Sequence, residues 1–145
     1  MRGKRKRIMD RIESPRTDDS AIEQEIRAKG LTAPRVTPAD IESNIASESY
    51  FTASDGRSGA LAAGTYVGRE SPQENDTDID ALSLLTFCVL AMRNGFTVVG
   101  ESACASPENF DAALGRKIAR ANAVNKIWPL MGYELKQRLS NIAPE

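Results

Sequence analysis

Histidine is absent from the 145 residues, and cysteine occurs only at Cys88 and Cys104. Without an imidazole the chain has no general base of the usual kind near neutral pH. It also has no Ser-His or Cys-His nucleophilic pair and none of the common zinc constellations. No apolar run approaches the roughly 20 residues that span a bilayer. The opening MRGKRKRIMDR is basic, yet the apolar stretch of a secretory signal does not follow it, so a cytoplasmic protein with no membrane partner is expected. No aromatic residue is interleaved among those cations, and Asp10, Glu13, Asp18 and Asp19 offset them. A nucleic-acid polymer is therefore not the expected partner. Catalytic residues, metal ligands and cofactors are each expected to be none.

What remains is a chain with 41% hydrophobic residues and a net charge of -1, the balance of one small domain with extensions. Apolar residues are dense from Leu82 to Leu139 and sparse before. Residues 1–34 read as a flexible extension with room for a short helix, since Ile22 and Ile26 are spaced helically and Gly30 supplies a stop. Residues 35–143 form a single helix-hairpin-helix domain interrupted by a loop insertion at about 53–82. The acidic residues of that insertion, Glu70, Glu74, Asp76, Asp78 and Asp80, lack the central glycine and terminal glutamate of a calcium loop and read as solvated.

Within the domain, Thr37 and Pro38 make a helix start, and Ile41, Ile45 and the Tyr50-Phe51 pair extend its apolar face to Phe51. A hairpin follows over Leu84 to Ala103. A two-residue Asn94-Gly95 turn would set Arg93 opposite Phe96, Leu90 opposite Val99 and Cys88 opposite Glu101, with Cys104 across from Leu85. That register offers the two thiols no disulfide geometry, so both are expected reduced. The first strand is apolar on both faces, which calls for a helix on one and a neighbouring subunit on the other, hence a homo-oligomer. Ser106 and Pro107 open a long helix with Phe110, Leu114, Ile118, Ala121, Val124 and Trp128 as its stripe, and Pro129 should kink or break it. The fold class is thus α+β and mainly helical, with one two-stranded antiparallel hairpin packed against an upstream helix and a long kinked C-terminal helix.

An enzyme would have to draw on Glu101, Cys88, Cys104 and Tyr50, none of which has a recognisable partner, and the glycines make no phosphate-binding loop with a Lys-Ser/Thr ending. A binding protein needs less. Arg93, Lys117, Arg120, Lys136 and Arg138 supply cations for phosphates, Thr97 and Ser102 supply hydroxyls, Gly95 exposes turn backbone, and Tyr50 supplies a stacking face. Equally, the cations are the solvated faces of helices and the apolar surfaces serve a protein interface, which describes a structural or interaction module.

The segments LLTFCVLAMRNGFTVVGESACASPENFD and GRKIARANAVNKIWPLMGYELKQRL, with TPADIESNIASESYFTA upstream, resemble a family of small tailed-phage proteins. The shared features are an Asn-Gly-Phe turn, a Gly-x-Ser-Ala-Cys strand end and a Trp-Pro-Leu-x-Gly-Tyr stretch. Part of that group looks like the phage anti-CBASS sponges, helical-hairpin proteins that assemble into hexamers and sequester cyclic oligonucleotide immune signals. The resemblance implies a phage-encoded, non-enzymatic protein that binds cyclic di- or trinucleotides without turnover. It places Tyr50 and Thr97 at a dinucleotide site between protomers, with threonine where the sponges carry a polar or basic residue, and Arg138 at a trinucleotide site.

Overall fold

The computed structural model describes residues 19–67, 70 and 78–142. The basic arm, and Glu74 and Asp76 of the acidic run, lie outside the described residues. In chain order the elements are α1 (Asp19–Ala28), α2 (Pro38–Asn44), β1 (Ile45–Thr52), α3 (Ala53–Ala63), α4 (Asp78–Leu82), β2 (Leu85–Met92), β3 (Thr97–Ala103), a short 3-10 turn (Pro107–Asn109) and α5 (Ala112–Ser140). The class is α+β with a long C-terminal helix, as the sequence suggests, but the sheet has three antiparallel strands in the order β1-β2-β3.

The third strand corrects the expected upstream helix. Thr37 caps α2 through a reciprocal box with Asp40, and only Ile41 is buried before the helix ends at Asn44. Beyond it, IASESYFT has a strand's β-branched and aromatic content, and β2 needs a partner on each edge. β1 meets that need, pairing Tyr50 with Cys88 and Phe51 with Phe87 after a bulge between Ile45 and Ser47. The segment expected to be an unstructured insertion likewise opens with a helix. Thr52 caps α3 through a second box, with Asp55, and Gly64 closes it at φ 68°.

The hairpin register is also corrected, by one residue. Leu90 faces Val98, Cys88 faces Gly100 and Phe87 faces Glu101. A two-residue type I′ turn needs positive φ at both central residues, and here only Gly95 has it, at 89°. The chain instead makes a three-residue turn over Arg93, Asn94 and Gly95. Met92 N–H donates to Phe96 O at 2.7 Å and Gly95 N–H to Met92 O at 2.9 Å.

One face of the sheet carries the core. Cys88, Leu90, Met92 and Val98 are buried there with Ile41 and, from α5, Ala119, Ala123 and Ile127. Ile41, Leu90 and Ile127 are fully buried side chains, each stabilising the fold by about 1.5 to 3 kcal/mol. The helix stripe that meets the sheet is Gly115, Ala119, Ala123 and Ile127, whose small side chains let the backbones approach; of the bulkier row read from the sequence, Ile118 is buried as well, and Val124 and Trp128 pack half-buried against the core. Asp111, not Ser106, caps α5 by accepting from Leu114 N–H at 3.0 Å, and Ser106 begins only the 3-10 turn. Of the kink or break expected at Pro129, the break does not occur. The helix runs through to Ser140 with the proline exposed and Met131 packed on the core.

Both outer edges of the sheet need protection from pairing with another chain. On β3, Asn122 Nδ2 donates to Glu101 O at 2.8 Å and Lys126 Nζ donates to Val99 O. The two side chains lie four apart on α5, so one helix face covers both carbonyls.

Candidate functional site

Where α2 ends, three distant parts of the chain meet. Arg93, in the hairpin turn, donates its backbone N–H to Asn44 O at 3.0 Å and its Nε to Ser43 O at 2.5 Å. Asn44 in turn points its amide at Met131 Sδ of α5, 3.6 Å away. These contacts hold turn, α2 and α5 around a cleft of about 360 Å³. Its walls include Arg35, Arg93 and Arg138, with Asp40 and Glu134, over a floor of Val36, Met131 and Leu135.

Its electrostatics follow from the partners. Asp40 accepts from Thr37 N–H at 2.9 Å. Glu134 meets Arg138 at 2.6 Å, one helical turn apart, and Arg138 remains 67% exposed. Among the described residues Arg93 meets only carbonyl oxygens, so no carboxylate neutralises it. Arg35 offers its fork to Glu23 of α1, with Nη1 and Nη2 at 2.6 and 2.7 Å from the two carboxylate oxygens. The hydrogen bonds from Arg35 hold the Glu23 carboxyl below its usual range, and Glu23 raises the guanidinium in return.

Of the residues singled out in the sequence, the structure therefore brings Arg93 and Arg138 to one cleft. Lys136 is exposed on the same helix and is not among the lining residues. Gly95 sits in the turn beside Arg93. Arg120 and Tyr50 belong to a different cluster. Arg120 donates to both oxygens of Glu42, at 3.0 and 2.7 Å, and to Glu48 at 3.2 Å, while the Tyr50 hydroxyl donates to Glu48. Burial, reinforced by Glu48, pushes the Tyr50 phenol well above its usual range, and Arg120 holds the Glu42 carboxyl down. This cluster ties α2 and β1 to α5. Burial likewise raises the Cys88 thiol, which faces Gly100 rather than Glu101.

Thr97 pairs with Ala91 and so lies on the sheet face opposite Tyr50, which packs on the core. Ser102 is half-buried against Thr86, and Lys117 is exposed near the start of α5. Arg35, Ser43 and Asn44 escaped the sequence reading. Arg35 did leave a signal, as the only Lys or Arg between Lys29 and Arg57, set just before a capped helix.

Among the described residues, no three Cys, Asp or Glu side chains gather as a metal site and no helix is long and apolar enough to cross a membrane. No curated protein and no solved structure gives a significant match. A family model does match, over residues 36–139, which span α2 through nearly all of α5 and include every cleft residue but Arg35. The chain belongs to the phage protein (N4 Gp49/phage Sf6 gene 66) family.

Proposed function

We propose that the protein is a phage-encoded binding protein that sequesters cyclic oligonucleotide immune signals without turning them over. The observation that carries this reading is the convergence of Arg93 and Arg138 on one cleft. Two guanidiniums from a turn and a helix suit the two non-bridging oxygens of a phosphodiester, which a fork can meet in pairs. The volume falls in the range of small-molecule sites, and the apolar floor of Val36, Met131 and Leu135 suits a base or ribose. Both carboxylates in the cleft have partners, Asp40 with Thr37 and Glu134 with Arg138, which speaks for holding a ligand over proton transfer to it.

Calorimetry against a panel of cyclic di- and trinucleotides tests the reading. Saturable binding with intact ligand recovered supports it, and the absence of binding to every member removes it.

A second reading, a protein-interaction module, draws on the other face of the sheet. Phe51 is 39% exposed there, and Phe87, Val89, Ala91 and Val99 are only half-buried. α3 packs at the Phe51 end of this face, where Gly56 approaches the ring. We take a second copy of the chain as the cover, giving a homo-oligomer in either reading. Sedimentation showing monomer alone at micromolar concentration would overturn that assignment.

A further inference from the structure

Arg35 lines the cleft, yet each of its three nitrogens already meets an acceptor. Nη1 and Nη2 are occupied by Glu23, and Nε reaches Leu31 O at 3.2 Å. The Glu23 side chain is only 12% exposed and the Arg35 side chain 26%. α1, which carries Glu23, buries no residue, and its Ile22 is 48% exposed. Among the described residues, one ion pair joins the helix to the cleft, alongside the half-buried Ile26, and that pair is formed by a cation of the cleft.

A phosphate entering beside Arg93 and Arg138 would compete for this fork, because two non-bridging phosphate oxygens present the same paired acceptors as a carboxylate. We infer that Arg35 is a third anion-binding arginine of the cleft and that Glu23 is its internal competitor, so that phosphate binding and docking of α1 oppose one another. The inference rests on the reading that the cleft takes phosphate-bearing ligands. Linkage makes the opposition reciprocal: whatever loosens α1 strengthens binding, and binding loosens α1.

Inorganic pyrophosphate serves as the probe, titrated by calorimetry into the full chain, into Glu23→Gln and into Glu25→Gln. The last removes the same charge from α1 but from a carboxylate paired with Lys29 at the surface. Glu23→Gln is expected to tighten pyrophosphate binding about tenfold over both others. In the parent, hydrogen exchange of the α1 amides should quicken as pyrophosphate saturates. Equal affinity for Glu23→Gln and Glu25→Gln, unchanged α1 protection at saturation, or no pyrophosphate binding to parent and Glu23→Gln alike would each overturn the inference. Cyclic di- and trinucleotides in parallel keep the two proposals apart. If they fail to bind while Glu23→Gln still sharpens pyrophosphate binding, the ligand class falls and the competition stands. If they bind but neither they nor pyrophosphate respond to Glu23→Gln, the competition alone falls.

Discussion

Gly100 of β3 lies directly against the backbone of Ala119 in α5, so closely that a Cβ at Gly100 would sit 2.0 Å from the Ala119 carbonyl oxygen and 2.3 Å from Ala123 N. Neither neighbour is a side chain that can turn away. The contact sets the distance between helix and sheet, and through it the burial of Cys88, Leu90 and Ile127.

Three glycine-to-alanine changes should consequently separate by sign. Gly100→Ala forces the layers apart and is expected to cost at least about 3 kcal/mol, lowering Tm by more than about 10 °C or preventing folding. At Gly115 the new methyl would meet the Thr86 side chain, with Oγ1 at 3.2 Å, and the helix gain should roughly balance the crowding. At Gly132 nothing lies within 4 Å, so alanine should stabilise α5 by about 0.5 to 1 kcal/mol. Thermal melts of the three variants check the order.

The β3 edge gives a second test. Replacing Asn122 and Lys126 together by alanine leaves Glu101 O and Val99 O uncovered on an outer strand. Such an edge pairs readily with another. Concentration-dependent light scattering should rise for the double variant well before its melting temperature, while Lys136→Ala, remote from the sheet, should scatter as the parent does.

Much of this was legible in the sequence where the signal is local. The Thr37 cap, the glycine stop after α1, the hairpin and the long helix all rest on neighbours within a few positions. β1 was hidden because Ile41, Ile45 and Tyr50-Phe51 also fit a helical spacing, and only pairing with the β2 edge decides between them. The turn was misjudged by one residue because Asn-Gly serves both two- and three-residue loops, and the φ of Asn94 is not written in its identity. On α5 the spacing finds Ile118, Val124 and Trp128, which are buried or pack on the core, but not Ala119 and Ala123, since close packing on Gly100 selects alanines that hydrophobicity ranks low. At the cleft, Arg93 and Arg138 were recognisable as cations, but their meeting depends on Asn44 bridging turn to helix. Arg35 is held by Glu23 and Leu31, contacts that its own position in the sequence does not reveal.

Glu42 should reveal itself in acid. Its carboxyl is held below the ordinary value of 4.5 in the fold, chiefly by hydrogen bonds from Arg120. A depressed carboxylate stabilises the fold fully above its unfolded value and loses that contribution as pH falls through the folded one. Glu42 is 55% exposed, so solvent screening limits the effect to about 1 kcal/mol or less. Urea melts of the parent and Glu42→Gln should therefore differ at pH 7 and converge well below pH 4.5. A gap that persists unchanged in acid would mean that packing, not charge, holds the pair.

The decisive substitutions for function lie at Arg93 and Arg138. Each is expected to donate to phosphate, and a hydrogen bond from a charged donor contributes about 1.5 to 3 kcal/mol, roughly ten- to a hundredfold in Kd. Arg138→Ala removes only an exposed pair with Glu134 one turn away, worth about 0.5 kcal/mol or less, so melting temperature should barely move. Arg93→Ala also removes the bond to Ser43 O, and a modest loss of stability should accompany its loss of binding. Lys136→Ala changes the same charge on the same helix outside the cleft lining and serves as the control. If the cleft is the site, both arginine variants weaken cyclic trinucleotide binding sharply and Lys136→Ala does not. Should all three bind as the parent does, the ligand sits elsewhere, and the open face around Phe51 and Phe87 becomes the surface through which the protein acts.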